Sequence, residues 1–158
     1  MIQRIQTFFL LMVAGLMTAA NFFPLWAQQA ASGEKQELFL SSHVHTLTEG
    51  GIVKDTFPFT ILAVVSGVVI VLCLWEIVSF KNRVKQMLLG MINSLLMLAS
   101  VGGTFYFVFQ NQARWQLTQG NGYALGFYLI LAAVVCNQIA LRYIKKDEDL
   151  VRSVDRIR

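Results

Sequence analysis

Four long apolar runs constrain this chain more than any other feature of its sequence. Each run carries at most one formal charge. A segment of about 20 apolar residues can cross the hydrocarbon core of a bilayer, and a lone segment there satisfies its backbone hydrogen bonds only as a helix. Soluble helices of this length show a polar face, which these runs lack. The sequence therefore predicts four membrane-spanning helices, over residues 5–26, 58–80, 87–109 and 123–143.

The basic residues predict how these helices are oriented. The predicted connections are outer loops at residues 27–57 and 110–122, an inner loop at 81–86 and a tail at 144–158. Of the 13 lysines and arginines, only Lys35, Lys54 and Arg114 fall in the two outer loops. Because basic residues concentrate on the cytoplasmic side of a membrane, we expect both termini in the cytoplasm. The predicted fold class is an all-α membrane protein, a single domain over residues 1–158 forming a four-transmembrane-helix bundle.

One alternative for the first run stays open. A signal peptide has a charged start, a short apolar core and a small-residue cleavage site. Arg4 and the "TAA" before Asn21 fit that description, but the apolar run continues through Trp26 and is longer than such a core. We expect the first helix to be retained, although cleavage would leave the orientation of the other three unchanged.

The first outer loop predicts a small extracytoplasmic β-hairpin-like structure. "QQAASGEKQ" is typical of coil, whereas "ELFLSSHVHTLT" and "IVKDTF" favour two extended pieces separated by an "EGG" break. His43 and His45 would share one face of a strand. A zinc site needs three or four ligands, so exposed strand histidines are the preferred interpretation and a metal site is the alternative.

Polar side chains within the predicted spans lie at a similar depth near the inner side. The members of this predicted polar layer are Glu76, Asn93, Asn137 and Arg142. Ionisable groups inside a membrane are candidates for function. One interpretation is structural, with interhelical hydrogen bonds and an ion pair between Glu76 and a nearby cation such as Arg142. The other is a binding site for a proton, an ion or a lipid headgroup.

The tail predicts a short cytoplasmic helix, either new or continuing the fourth span. It would bind a partner protein or the underside of the bundle, and the alternative is a solvated helix that only holds the topology. Apolar residues recur at helical spacing and charged residues fill the positions between them. Basic and acidic residues are nearly balanced, whereas a segment that binds anionic lipid is more one-sided. The candidate partner-binding residues are Leu150, Val151, Arg152, Val154, Asp155 and Ile157.

No motif for catalysis or cofactor binding is visible in the sequence. It contains no phosphate-binding loop, no dinucleotide fingerprint and no H-E-x-x-H motif. We predict no catalytic residue, no metal, no cofactor and no nucleic acid partner, and therefore a protein that is not an enzyme. A membrane enzyme that acts on lipid is the least favoured alternative.

The two ends of the chain carry a resemblance to a known family. "MIQRIQT" at the start and "IKKDEDLVRSVDRIR" at the end, on either side of four spans, resemble an uncharacterised bacterial membrane family, the domain of unknown function 4293. The resemblance implies a multi-pass protein of the bacterial inner membrane and supplies no catalytic residue. It also suggests that the ends are the distinctive parts, namely Gln3, Arg4, Gln6 and the helix from Lys145 to Arg158. Because both ends are cytoplasmic in the predicted topology, a separate hypothesis is that they meet under the bundle, with Arg4 near Asp147, Glu148 or Asp149.

The expected function is that of an accessory or scaffold subunit in the lipid bilayer. It would bind a protein partner through its cytoplasmic ends. The alternative is a small oligomeric transporter or channel that uses Glu76, Asn93 and Asn137.

Overall fold

The fold consists of four helices and a small antiparallel β-sheet. The computed structural model describes residues 2–29, 34–47, 51–80, 82–111 and 122–155. In chain order the elements are α1 (Ile2–Ala20), β1 (Trp26–Gln29), β2 (Lys35–Leu38), β3 (His43–Thr46), β4 (Ile52–Asp55), α2 (Thr60–Val78), α3 (Arg83–Asn111) and α4 (Leu125–Asp155).

The helices pack side by side in a closed order, which we call the helix ring. α1 packs against α2, α2 against α3, α3 against α4, and α4 against α1. The sheet lies between α1 and α2 in sequence and covers one end of the ring, the sheet end. The opposite end carries the α2–α3 connection and the last part of α4, and is called the tail end. The main core contains residues from all four helices, including Val13, Val69, Met97 and Ile130.

Three of the helices are long and apolar enough to cross a membrane. They are Thr60–Val78, Arg83–Gln110 and Leu125–Val151, and Ile5–Ala20 is a shorter apolar helix. Large apolar side chains on the outside of the ring are exposed, among them Val71 at 60% and Leu95 at 68%. A water-soluble protein rarely exposes a continuous apolar belt, whereas hydrocarbon solvates one well.

The first helix is shorter than the predicted span. α1 ends at Ala20, so the prediction of a helix to Trp26 is wrong. The physical reason is Pro24, which has no backbone N–H to donate to the carbonyl of Ala20 and whose ring would clash with that carbonyl in a continued helix. The apolar residues after the turn leave the helix and join the sheet. The backbone N–H of Leu25 donates to Leu38 O at 2.7 Å, and its carbonyl accepts from Ala124 N at 2.9 Å.

The other boundaries also differ from the prediction. α3 begins at Arg83, so most of the predicted inner loop at 81–86 belongs to that helix. α4 continues without a break from Leu125 to Asp155, so the tail continues the fourth helix as far as the structure describes it. Residues 112–121 of the predicted second outer loop lie outside the described residues.

The outer loop forms four strands where a hairpin was predicted. β3 and β4 pair antiparallel with Val44 opposite Lys54, which confirms the pairing of "HVHT" with "IVKD", although the "EG" of the break lies outside the described residues. The prediction of one extended piece over "ELFLSSHVHTLT" is wrong, because a turn closed by a hydrogen bond from Phe39 N to Ser42 O separates β2 from β3.

The prediction of coil for "QQAASGEKQ" is wrong at both ends. Ala27 pairs with Glu37 in β1 and β2, which extends the sheet to the order β1-β2-β3-β4. Hydrogen bonds to neighbouring strands stabilise these polar strands. Strand propensity within the segment itself does not predict this tertiary effect.

One row of residues crosses the whole sheet and faces the helices. Trp26 lies opposite Leu38, Leu38 opposite His43, and His43 opposite Asp55. Trp26 and Leu38 are buried with Phe59, the residue just before α2. These apolar contacts fix the sheet on the helix ring. The sheet needs them, since short strands alone are only marginally stable in water.

Candidate functional site

The tail-end half of the helix ring contains a cluster of buried polar side chains, which we call the polar cluster. Glu76 enters from α2, Asn93 from α3 and Asn137 from α4, and all three are fully buried. These are three of the four residues of the predicted polar layer. The structure brings them together around Gly90 of α3.

Gly90 allows the three helices to approach one another. A methyl group added at Gly90 would lie 2.6 Å from Leu141 Cδ2 on α4 and 3.0 Å from Glu76 Oε1 on α2. Carbon atoms need more room than 2.6 Å, so a larger residue requires its neighbours to shift. Close approach at a small residue is typical of contacts between membrane helices.

Hydrogen bonds join α4 to α3 within the polar cluster. The Asn137 side-chain amide donates to Gly90 O and to Ser94 Oγ, both at 2.9 Å. Gln138 Nε2 also donates to Ser94 Oγ, at 2.9 Å. The Ser94 hydroxyl in turn donates to Gly90 O at 3.0 Å. Two side chains of α4 thus converge on one turn of α3.

A second set of contacts joins α3 to α2. Gln86 Nε2 donates to the backbone carbonyl of Glu76 at 2.9 Å. Asn93 Nδ2 donates to Cys73 Sγ at 3.3 Å, and Asn93 also lies within interaction range of the Glu76 carboxyl. Both helices therefore contribute polar atoms to the same buried space.

Several buried polar atoms of this cluster make no hydrogen bond with the described part of the chain. They are Glu76 Oε1 and Oε2, Asn93 Oδ1 and Asn137 Oδ1. All four of these atoms are oxygens. An ionised carboxylate buried without a partner is costly, so the arrangement favours a proton or a cation on Glu76. Within the described residues, no group of three His, Cys, Asp or Glu side chains could hold a metal ion.

Arg142 does not join this cluster, so its assignment to the layer is wrong. Its side chain is exposed and lines a groove between α3 and α4 together with Lys145. None of the ion pairs in the described residues includes Glu76, and the expected pairing with Arg142 is therefore wrong as well. The reason is helical spacing. Arg142 is five residues after Asn137, which rotates it towards another face of α4.

The base of the tail is held by an ion pair that the sequence analysis did not predict. Arg83 Nη2 lies 2.9 Å from Asp147 Oδ2, and Arg83 Nη1 donates to Asp147 O at 3.1 Å. Arg4 was expected near Asp147, but its side chain lies outside the described residues. The start of α3, rather than the start of the chain, fixes the tail in the part that the structure describes.

The tail residues are described only in part. Leu150 and Val151 are exposed, at 49% and 42%. The other predicted partner-binding residues lie outside the described side chains, and they are Arg152, Val154, Asp155 and Ile157.

The two histidines of the sheet differ in burial. The prediction of exposed strand histidines is wrong for His43, which is buried under the sheet with its ring centroid 5.8 Å from that of Phe59. Burial lowers the pKa of His43 to about 4, against an opposing effect of Asp55 and with a smaller contribution from His45. His45 Nε2 lies 3.1 Å from Glu34 Oε2. The histidines thus have different contacts, a buried ring and a surface pair.

The sequence analysis did not predict a role for Gly90, Ser94 or Gln86, although the pattern of residues in α3 indicates one. Its polar and small residues recur at helical spacing, and the structure buries one continuous face. That face comprises Gln86, Gly90, Asn93, Met97, Ser100 and Thr104. In a helix surrounded by lipid, polar and small residues mark the protein-facing side.

Comparison with known proteins places the chain in a family without adding an activity. No curated protein matches the sequence. Residues 2–157 match the family described as domain of unknown function 4293. The match covers nearly the whole chain and confirms the resemblance carried by its two ends. The chain belongs to the family of the domain of unknown function 4293.

Proposed function

We propose that this protein is a non-catalytic accessory or scaffold subunit of the bacterial inner membrane. In this proposal all four helices cross the bilayer as a four-helix bundle, both termini lie in the cytoplasm, and the projecting end of α4 binds a partner protein. The observation that carries the proposal is the unbroken continuation of α4 beyond the helix ring.

The length of α4 supports a projecting helix. Its 31 residues correspond to about 46 Å at 1.5 Å per residue. The hydrocarbon core of a bilayer is about 30 Å thick, so roughly a third of the helix extends into the aqueous region. The ion pair between Arg83 and Asp147 fixes the base of this extension. Exposed Leu150 and Val151 give it apolar contact area for a partner helix or groove.

The packing of α1 supports the view that it is retained and spans the membrane with the others. Its 19 residues are about 28 Å long. Leu10, Val13 and Met17 are buried, whereas Phe8 and Leu11 on the other face are more than half exposed. This is the pattern of a helix that contacts protein on one side and lipid on the other.

The test is recovery of a partner through the tail. The full-length protein is extracted from its own membrane in mild detergent and examined by native mass spectrometry. We expect a stoichiometric foreign subunit that is lost when Leu150→Glu and Val151→Glu are introduced together. The control pair Leu150→Met and Val151→Leu keeps the apolar surface and retains the subunit. Recovery of only the bare chain, or equal recovery with both pairs, contradicts the proposal.

A second candidate function is a small oligomeric transporter or channel. The observation that favours it is the fully buried Glu76, whose two carboxyl oxygens make no hydrogen bond within the described residues. Purified protein in liposomes would be assayed for proton and cation flux. Loss of flux in Glu76→Gln supports transport through the polar cluster. An accessory subunit keeps its partner in Glu76→Gln and shows no flux in either form.

A further inference from the structure

The groove between α3 and α4 has the shape and charge distribution of a lipid-binding site. It has a volume of about 430 Å³, and its apolar lining includes Met87, Met91, Leu95 and Leu141. Arg142 and Lys145 line the same groove. α3 runs away from the tail end and α4 runs towards it, so Met87 and Lys145 mark the tail end of the groove.

The dimensions of the groove match part of an acyl chain. From Met87 to Leu95, α3 rises eight residues, which is about 12 Å. Met91 and Leu95 are exposed on the outside of the helix ring, at 58% and 68%. Because the groove runs parallel to the helices and opens outwards, a lipid tail can enter it sideways. Methionine side chains adapt their shape to irregular apolar ligands.

The polar groups of the groove are arranged unevenly along its length. At its deep end Gln138 Nε2 already donates to Ser94 Oγ at 2.9 Å. At the tail end, neither Arg142 nor Lys145 makes an ion pair with any described residue. Among the residues that the structure describes, no acidic side chain lines the groove. The cations at the mouth are thus available to an anion outside the protein.

A neighbouring cavity extends the basic region. It has a volume of about 420 Å³, shares Arg142 and Lys145 with the groove, and adds Lys146 and one carboxylate, Asp149. Three cations and one anion leave a net positive mouth. Basic pockets between membrane helices on the cytoplasmic side bind anionic lipid headgroups.

We infer that the α3–α4 groove binds an anionic phospholipid, with its acyl chain along Met91 and Leu95 and its headgroup phosphate at Arg142 and Lys145. The inference rests on the proposed membrane placement of α3 and α4 and is independent of the partner of the tail. The basic mouth selects the occupant, because a net negative headgroup balances the two cations, whereas the phosphate of a zwitterionic lipid is already paired with its own ammonium group. A second copy of an apolar helix face would bring no anion to them.

The experiment titrates the purified full-length protein with dioleoyl phosphatidylglycerol or dioleoyl phosphatidylcholine in mild detergent, with native mass spectrometry as the readout. The acyl chains are identical, so a preference reports the headgroup. We expect tighter binding of phosphatidylglycerol. Arg142→Gln with Lys145→Gln should weaken it roughly 10- to 30-fold, since each basic residue near a membrane surface contributes about one kcal/mol. Lys54→Gln with Lys85→Gln removes the same charge outside the groove and should leave the affinity unchanged.

A second variant tests the apolar half of the site. Met91→Trp fills the groove and should weaken phosphatidylglycerol binding without changing the charge. The control Leu98→Trp lies on the same helix and is 52% exposed, outside the groove lining. Inorganic phosphate at millimolar concentration should not displace the lipid if the chain contributes.

Several outcomes overturn the inference. They are equal affinity for both lipids, no effect of the groove variants, equal effects of the controls, complete displacement by phosphate alone, or a dimer that forms at the groove regardless of lipid. Any of these would leave the proposed scaffold function intact, because that function is tested at Leu150 and Val151. Conversely, a protein that keeps the phospholipid but has no partner would contradict only the scaffold proposal.

Discussion

The helix ring and the sheet differ in the side chains that they expose. Between its two ends, the outside of the ring exposes apolar residues such as Val71 and Leu95. The outer strand of the sheet exposes the charged residues Lys54 and Asp55 beside Ile52. Both interiors combine apolar with polar side chains, so the outer surfaces are what distinguish the two regions.

The difference shows that the surrounding medium, water for the sheet and hydrocarbon for the ring, determines which residue types favour burial. Water drives apolar side chains of the sheet against the helix ends. Hydrocarbon supplies no such force between helices, so packing of small residues and interhelical hydrogen bonds hold the ring together. The sheet therefore follows the pattern of soluble proteins, in which apolar residues mark the buried face. In the ring, small and polar residues mark the face that contacts other helices.

Trp26→Ala is expected to have the largest effect and tests the water-driven core of the sheet. Trp26 is 2% exposed and packs with Leu38 and Phe59. Truncation of a buried aromatic residue costs about 3–5 kcal/mol. Thermal unfolding of the protein in detergent measures the loss. Phe57→Ala, at an 81% exposed position, should change the melting temperature little, and equal losses would show that the sheet has no core of its own.

Val71→Asp and Ile52→Asp compare the outer surfaces of the two regions. Val71 of α2 is 60% exposed, and Ile52 of β4 is 71% exposed. A charge at the centre of a membrane helix costs about 3 kcal/mol on insertion, whereas an exposed substitution in water stays within about 0.5 kcal/mol. We expect Val71→Asp alone to lower the amount of membrane-inserted protein on immunoblots of membrane fractions. Equal tolerance of both changes would contradict the comparison.

Gly90→Ala tests the close contact at the polar cluster. The new methyl group would lie 2.6 Å from Leu141 Cδ2, and overpacking typically costs about 1–3 kcal/mol. Gly102→Ala is the matched control on the same helix, since nothing lies within 4 Å of that position. The control should be neutral or slightly stabilising, because alanine is the better helix former. Unfolding of both variants in the same detergent gives the difference, and a neutral Gly90→Ala would remove the packing argument.

The pH dependence of His43 gives the smallest expected effect and sharpens the view of the sheet. Its pKa is lowered from 6.5 to about 4, first by burial. Above the unfolded-state pKa the ring is neutral in both states. As the pH falls below 6.5, the unfolded chain binds the proton first and stability is lost until about pH 4. We expect a loss of about 1 kcal/mol between pH 7.5 and pH 6. His43→Gln should abolish this component, and an unchanged slope in that variant would exclude His43 as its source.

Much of the fold could be predicted from the sequence because the apolar runs are long and nearly free of charge. The helices of the second and third predicted spans were placed within a few residues, and the fourth begins two residues after its predicted start. The strand pair of β3 and β4 was recognised from its residues. The helix to Trp26 failed because Pro24 and the sheet redirect the chain. The strands at Ala27 and Gln36 were missed because polar segments show no strand pattern until a neighbouring strand supplies their hydrogen bonds.

The candidate site was predicted in outline and corrected in detail. The polar layer was predicted from how far each residue lies from the inner end of its span. This placed Glu76, Asn93 and Asn137 together, as in the structure, since residues at the same height on adjacent helices are neighbours. Depth alone does not give the rotation of a helix, and Arg142 therefore lies on a different face. The acceptor Ser94 and the space at Gly90 became evident only when α3 and α4 were seen in contact.

The sequence by itself determined that apolar helices dominate this protein, that its charges gather at the ends of those helices, and that the chain belongs to its family. These properties depend on local composition, which acts through hydropathy and charge. Only the tertiary structure decided which faces meet, that Arg83 holds Asp147, and that a groove with a basic mouth opens between α3 and α4. Such properties depend on the rotation and register of packed helices, and distances between residues far apart in the chain fix them.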